Sequence, residues 1–424
     1  MANRPPGEVA APAARSGQPR DRAAASTPSE SPPSGPLVFV VTHGVTARFL
    51  MLDLLLYLAR QGHDVRVFAA GGHDLDAVAA AGIAVTAVPL QREIRPLADL
   101  RALFRLYREL RRIRPALVNA GTPKAGLLAM IAAWLLRVPR RLYTLRGLRL
   151  ETARGAKRLL LTTTERVAAA CAQRVVCVSA SLRQRAIDLR LVAAERATVL
   201  ADGSSKGVDL ERFRPANEND LGEPGTGEKD PALRRWRDKL GLTDDEPVIG
   251  FVGRFVRDKG IEDLLAAFDE QVLPRHPRAR LLLVGDFEDG DPVSPATRQR
   301  IESGAALLRP GFVDDSAPLY RLMTLLAFPS YREGFPNAPL EAAASGLPVV
   351  GFRATGVVDA VAEGETGLLV DIGDRHGLGE GLAALLDDPA RARRLGQAGR
   401  RRAEERFSQE RLWRAWAEEL ASDG

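Results

Sequence analysis

The sequence predicts an α/β protein built from two Rossmann-like domains, and three features carry that expectation. The chain has 424 residues, beyond the size at which a single hydrophobic core keeps growing. Short apolar, β-branched runs alternate with helical patterns in two successive blocks, which is how buried parallel strands and their crossover helices read. Between the blocks lies 217–230, an acidic, glycine-containing stretch without apolar periodicity that reads as a linker or exposed insertion.

Residues 1–35 are rich in Pro, Ala, Ser, Gly and Arg, with almost nothing to bury, and are expected to form a disordered tail. The first block follows, with strands expected at 36–42, 65–69, 84–88, 116–120, 141–144, 174–179 and 198–200. Its first helix carries Leu52, Leu55, Leu56 and Ala59 at helical spacing, and 62–64 closes it. The second block has strands expected at 247–252, 279–284, 325–328, 347–351 and 367–370. The domains so defined are 36–213 and 214–404, with 405–424 forming a C-terminal helix that packs back toward the first. No short repeat is present, which excludes a solenoid.

Composition narrows the class without naming a partner. Hydrophobic residues at 45% and charged residues at 27% are ordinary globular usage. Cys171 and Cys177 have neither the spacing of a disulfide framework nor that of a zinc site, so a reducing, cytoplasmic setting is expected. A formal charge of +6 and a pI of 9.6 favour anions but do not choose among nucleic acid, phosphorylated substrate and anionic lipid. The longest apolar run, 125–136, has the length of a buried core helix rather than a membrane span. Arg15, Arg20, Asp21 and Arg22 interrupt the N-terminus where a signal core would stand. Any membrane contact is therefore expected to be peripheral.

Chemistry concentrates in the second block. An apolar strand ends at Gly253, Arg254 and Lys259 follow, and helical spacing resumes at Ile261, Leu264, Leu265 and Phe268. A strand that opens into a helix through a glycine turn presents backbone N–H groups and the positive helix end to an anion. Arg254 can grip phosphate oxygens in a fork and Lys259 can add a point charge; alternatively both are solvated turn residues, with Lys259 pairing Asp258. Downstream, Glu333 falls in a loop and Glu341 in a helix beginning near 336–338. A carboxylate in the first turns of a helix is favoured by the dipole and can accept both hydroxyls of a ribose, while a loop carboxylate beside a glycine can approach a sugar ring.

These residues resemble family 4 of the retaining glycosyltransferases, which have the GT-B fold of two Rossmann-like domains with parallel sheets facing a central cleft. The matching pieces are Gly253-Arg254, Asp258-Lys259-Gly260, the run from Glu333 to Glu341 with its seven-residue spacing, 344–348 and 365–369. The resemblance implies that Arg254 and Lys259 act catalytically by holding the donor diphosphate. Glu333 joins them at the transferred hexosyl or N-acetylhexosaminyl group. The backbone of Gly334, Phe335, Pro336 and Asn337 would hold that sugar with Glu333, Glu341 would hold the ribose, and Gly44 and Gly253 are further donor-binding residues, with a UDP-sugar the common donor. The first block resembles members that build capsule, O-antigen and other cell-surface polysaccharides on a lipid carrier, through 119–126, 143–148 and 203–209. That places His43, Lys124 and Arg146 on the acceptor side. Many members carry histidine near the position of Arg146, so this chain departs from the pattern there.

No metal-ligand cluster accompanies the phosphate loop, so no cofactor or metal is expected; Asp289-Gly-Asp291 reads as a solvated turn. Residues 97–113 form an amphipathic helix with Arg101, Arg105, Arg108, Arg111 and Arg112 on its polar side. It either packs with its arginines in water or rests on an anionic bilayer. Two rival functions remain at this stage. A GT-B-shaped sugar-nucleotide epimerase would share the donor chemistry without an acceptor. A nucleic-acid-binding role explains the charge but not the paired glutamates.

Overall fold

In the computed structural model, residues 35–91, 95–216, 230–243 and 245–422 are described. The expected tail through residue 34 and the linker at 217–229 lie outside them. Seven strands make the first sheet: β1 (Leu37–His43), β2 (Val65–Ala70), β3 (Ala84–Ala87), β4 (Leu117–Ala120), β5 (Arg140–Leu145), β6 (Arg174–Cys177) and β7 (Ala197–Val199). Their spatial order is β3-β2-β1-β4-β5-β6-β7, and every pairing is parallel. Six strands make the second: β8 (Val248–Val252), β9 (Arg280–Val284), β10 (Leu307–Gly311), β11 (Leu325–Phe328), β12 (Val349–Phe352) and β13 (Gly367–Val370). Their order is β10-β9-β8-β11-β12-β13, again all parallel. Each sheet therefore reverses its winding once, between β1 and β4 and between β8 and β11, and crevices at such points are where open α/β sheets bind ligands.

Strand β10 was not anticipated. Its Arg309 and Pro310 break the apolar pattern, and a proline removes a ladder donor. The sheet tolerates this because β10 is an edge strand with a register shift between Leu308 and Gly311.

Alternation along β1 shows why the first sheet needs cover on both faces. Leu37, Phe39 and Val41 point into one cluster with Leu54, Leu55 and Leu58 of the helix Leu52–Arg60. Val38 and Val40 point into another with the helix Pro123–Leu135. Both sets are fully buried, as expected of a parallel sheet between two helical layers. The last helix, Gln409–Ala421, adds Leu412, Trp416 and Leu420 to the first of these clusters. Arg140 donates to the Leu420 and Glu419 carbonyls, and Arg174 meets Glu419 at 3.1 Å, so this helix is fastened to β5 and β6. Where the chain crosses between the sheets, Val208 N–H donates to the Phe407 carbonyl at 2.9 Å and Gln409 N–H to the Val208 carbonyl at 3.2 Å.

One acid in this scaffold stands out. Glu165, in the helix Gly155–Cys171, is buried and accepts a 2.7 Å hydrogen bond from the Tyr143 hydroxyl. Burial pushes its carboxyl up to about 7, with the tyrosine bond pulling slightly the other way. The unfolded carboxyl titrates near 4.5, so between these values the folded chain holds a proton that the unfolded chain has lost. Its contribution to stability is then fully present below about 4.5 and lost as pH rises toward about 7. Glu165→Gln keeps an acceptor for Tyr143 and has no such loss. Thermal melts of the two proteins should converge at pH 4 and separate by pH 8, with the variant more stable; a constant offset across that range would contradict the assignment.

Candidate active site

The turn after β8 has the strand–turn–helix form that its spacing suggests. After β8, residues Arg257–Lys259 form one 3-10 turn and the helix Ile261–Ala267 follows from Gly260. Gly260 takes φ +67°, and a β-carbon there would overlap the Pro329 carbonyl. Only glycine satisfies both demands, and the close approach brings this turn against the loop that leads to Glu333.

Two opposite-charge pairs strap the loops together. Consecutive residues Asp258 and Lys259 meet consecutive residues Arg332 and Glu333, Arg332 with Asp258 and Lys259 with Glu333. The lysine thus pairs not with its sequence neighbour, as the turn reading had it, but with the carboxylate expected at the sugar. Ser330 Oγ supports the same Glu333 oxygen at 2.8 Å. Asp291 is also more than a solvated turn residue: its Oδ2 accepts the Asp258 N–H at 3.0 Å, holding the 3-10 turn from the other side.

Glu341 lies in the helix Asn337–Ala344, only 7% exposed. Its Oε2 accepts from the Tyr320 hydroxyl at 2.9 Å, and its Oε1 meets Lys206 Nζ at 3.0 Å. Burial and the facing carboxylate hold the Tyr320 phenol well above its ordinary value, so it remains a donor. Both carboxylate oxygens are therefore occupied in this state, and a ribose diol would have to take the place of the ammonium.

The first half of the chain closes over this segment. Ser179 Oγ donates to the Gly334 carbonyl at 2.7 Å, and Ser205 Oγ to the Phe335 carbonyl at 3.3 Å. Gly356 N–H donates to Ser181 Oγ at 2.8 Å, and Thr355 Oγ1 to Glu151 at 2.9 Å. A β-carbon on Gly334 would overlap the Arg146 carbonyl, so the two halves touch backbone to backbone. Phe335 is buried against Phe407 with ring centroids 5.2 Å apart. Asn337 Oδ1 is buried with no hydrogen-bond partner among the described residues, an acceptor without a donor inside the segment expected to hold a sugar.

Other expected site residues stand further out. Gly253 bonds back to the Val284 carbonyl at 2.9 Å. Arg254 pairs with Glu288, and its side chain is 46% exposed. It lines a cavity of about 400 Å³ with Arg149, Lys157, Arg257, Asp291 and Arg332, but not with Lys259 or Glu341. His43 ends β1 and precedes the helix Gly44–Leu50 without capping it. Gly44 is buried where a β-carbon would lie 2.6 Å from the Leu75 nitrogen. Lys124 meets Asp99 at 2.7 Å, linking two helices of the first half. The structure thus gathers Lys259, Glu333, Gly334, Phe335, Glu341 and Arg146 at one seam, with Arg254 at its rim. Lys206 and Tyr320 were not singled out from sequence. Lys206 sat inside a quoted motif, whereas nothing local marks Tyr320.

Two parallel-sheet halves with their strand-end crevices brought face to face define the GT-B class of glycosyltransferase. Residues 49–212 match the family model described as Glycosyltransferase Family 4, and residues 246–388 match Glycosyl transferases group 1. The capsular polysaccharide biosynthesis glycosyltransferase CapM of Staphylococcus aureus is 33% identical over 88% of this chain and 92% of its own length. A D-inositol 3-phosphate glycosyltransferase of Corynebacterium efficiens is 35% identical over 51% of this chain and 49% of its own. Among solved structures, HepE of Anabaena in complex with UDP and glucose superposes with a TM-score of 0.74 at 21% identity, covering 92% of this chain and all of that one. The chain belongs to family 4 of the glycosyltransferases and has the GT-B fold.

Proposed function

We propose that the protein is a retaining glycosyltransferase that moves a sugar from a UDP-sugar to a hydroxyl of a lipid-linked glycan in cell-surface polysaccharide synthesis. Residues 36–213 would form the acceptor domain and 214–404 the donor domain. The observation that carries the reading is the Lys259–Glu333 pair beside the Gly334–Asn337 backbone, with Glu341 one helical stretch further on. An ammonium, a loop carboxylate, backbone amides and a second carboxylate are the groups a nucleotide sugar needs at its diphosphate, ring and ribose.

In this mechanism the bond from sugar to phosphate loosens toward an oxocarbenium-like state. Charge grows on the departing diphosphate and is met by Lys259, Arg254 and nearby backbone amides. Glu333, released from Lys259, faces the ring, and Glu341 exchanges Lys206 for the ribose. No metal is assigned a role, and turnover is expected to survive chelation. A thermal-shift panel of nucleotide sugars, followed by proton NMR of the product formed on a lipid-diphosphate acceptor, tests the whole reading. An α donor giving an α product supports it; a β product overturns retention, and a new sugar nucleotide formed without acceptor would instead single out an epimerase.

A membrane site for the acceptor lipid is part of the proposal. No helix among the described residues is long and apolar enough to cross a membrane. The helix Pro96–Ile113 packs Ala102, Leu106 and Leu110 into the core and still leaves Leu97, Leu100 and Phe104 between 63% and 77% exposed. The helix Gly155–Cys171 exposes Leu159 and Leu160 beside Lys157 and Arg158. Apolar side chains interleaved with cations suit the surface of an anionic bilayer. The protein should sediment with phosphatidylglycerol vesicles and not with phosphatidylcholine vesicles. Leu97, Leu100 and Phe104 changed together to serine should abolish this, and sedimentation unaltered by the change would remove the helix from the interface.

A further inference from the structure

Arg146 stands directly after β5, at the carboxyl edge of the first sheet. Its Nη1 donates to the Ser205 carbonyl at 3.2 Å, while its Nε is buried and has no acceptor among the described residues. Nη2 bonds no described protein atom. The guanidinium packs closely on Gly121, its Nε 3.0 Å from where a β-carbon would stand. Other cations at this seam are matched by acids, Lys206 by Glu341, Lys259 by Glu333, Arg254 by Glu288 and Arg332 by Asp258. No carboxylate among the described residues pairs with Arg146. Burial pulls its pKa down to about 10, which leaves it charged at neutral pH.

A buried charge without a counter-ion is expensive, and one kept at a ligand site is commonly matched by the ligand itself. Its neighbours point to the part of the ligand. The Arg146 carbonyl packs on Gly334, and Ser205, which anchors the guanidinium, donates to the Phe335 carbonyl. Both partners belong to the segment assigned to the transferred sugar, whereas the cations assigned to the diphosphate, Arg254 and Lys259, come from the other half of the chain. The unbonded Nε–Nη2 edge offers two parallel donors, the arrangement that matches a planar carboxylate.

We propose that Arg146 is a specificity-determining residue for an acidic sugar, its free edge taking the carboxylate of a uronate at the sugar subsite. The inference rests on the donor site proposed above. The uronate is either the sugar transferred or the sugar that accepts it, and the two sources separate by experiment.

Calorimetric titration of the full chain with UDP, UDP-glucose and UDP-glucuronate gives the donor arm; glucuronate- and glucose-terminated lipid-diphosphate acceptors, compared by KM, give the acceptor arm. In one arm the acidic ligand should be favoured by at least about tenfold, the worth of a charge-assisted hydrogen bond. Arg146→Gln should erase that preference with UDP affinity unchanged, and Arg146→Lys should keep part of it. UDP affinity also reports whether each variant is folded, and the wild-type preference needs no variant at all. Absence of preference in both arms, or an Arg146→Gln that weakens UDP alone as much as the acidic ligand, overturns the proposal. If wild-type protein fails to bind UDP, the donor site itself has been misassigned and this inference falls with it.

Discussion

Lys259→Ala should lower turnover roughly a hundredfold, the usual scale for removing one preorganised group that meets charge developing in a transition state. The ammonium is only 17% exposed and is held by Glu333, so its position is set before any donor arrives. Removing it takes away the cation proposed to meet the leaving diphosphate and leaves the Glu333 carboxylate unpaired in a half-buried site. Ser330 still supports that carboxylate, which limits the damage to folding, and the melting temperature should move little. Arg254→Ala should act in the same direction. Because that side chain is half-exposed and sits at the rim, its charge is better screened and a smaller loss is expected. Steady-state kinetics with saturating donor measures both, and wild-type turnover in the two variants together would refute the phosphate assignment.

Gly334→Ala should be comparably damaging for a different reason. A methyl at this position would overlap the Arg146 carbonyl, and the Gly356 and Gly147 backbones crowd the same residue. The two halves meet here without intervening side chains, so relief comes from their moving apart. A displacement of about 1 Å between reacting groups can reduce the rate on the order of a hundredfold. The methyl falls at a seam and not inside either sheet's apolar core, so kcat should drop while thermal stability stays within a few degrees. Loss of fold in place of loss of rate would show that the seam is instead part of the folding core.

Periodicity made most of this architecture legible. Runs such as 248–252 and 281–284 could only be buried strands, and glycine followed by Arg254 and Lys259 marked the turn that leads into a helix. The edge strand β10 escaped because Arg309 and Pro310 obscure a pattern that an edge position does not require. At the site, Glu333 and Glu341 were visible because they lie on one continuous segment. Their partners were not, since Lys206 is contributed by the other half of the molecule and Tyr320 by a separate short helix, Ala317–Tyr320. Spacing along a chain carries no record of contacts made across a seam. The amphipathic stripe of 97–113 was equally plain, but which apolar residues it hides depends on the neighbouring helix. Ala102, Leu106 and Leu110 are buried, and Leu97, Leu100 and Phe104 are left outside.

The main-chain bonds joining Val208 to Phe407 and Gln409 bind the two crossing strands into a single spine, much as stitching holds the leaves of a book. Rotation about a spine moves each atom in proportion to its distance from it. Phe335, stacked on Phe407, sits near that line and would scarcely shift as the covers part. Groups nearest the binding would then keep their register through any such rotation.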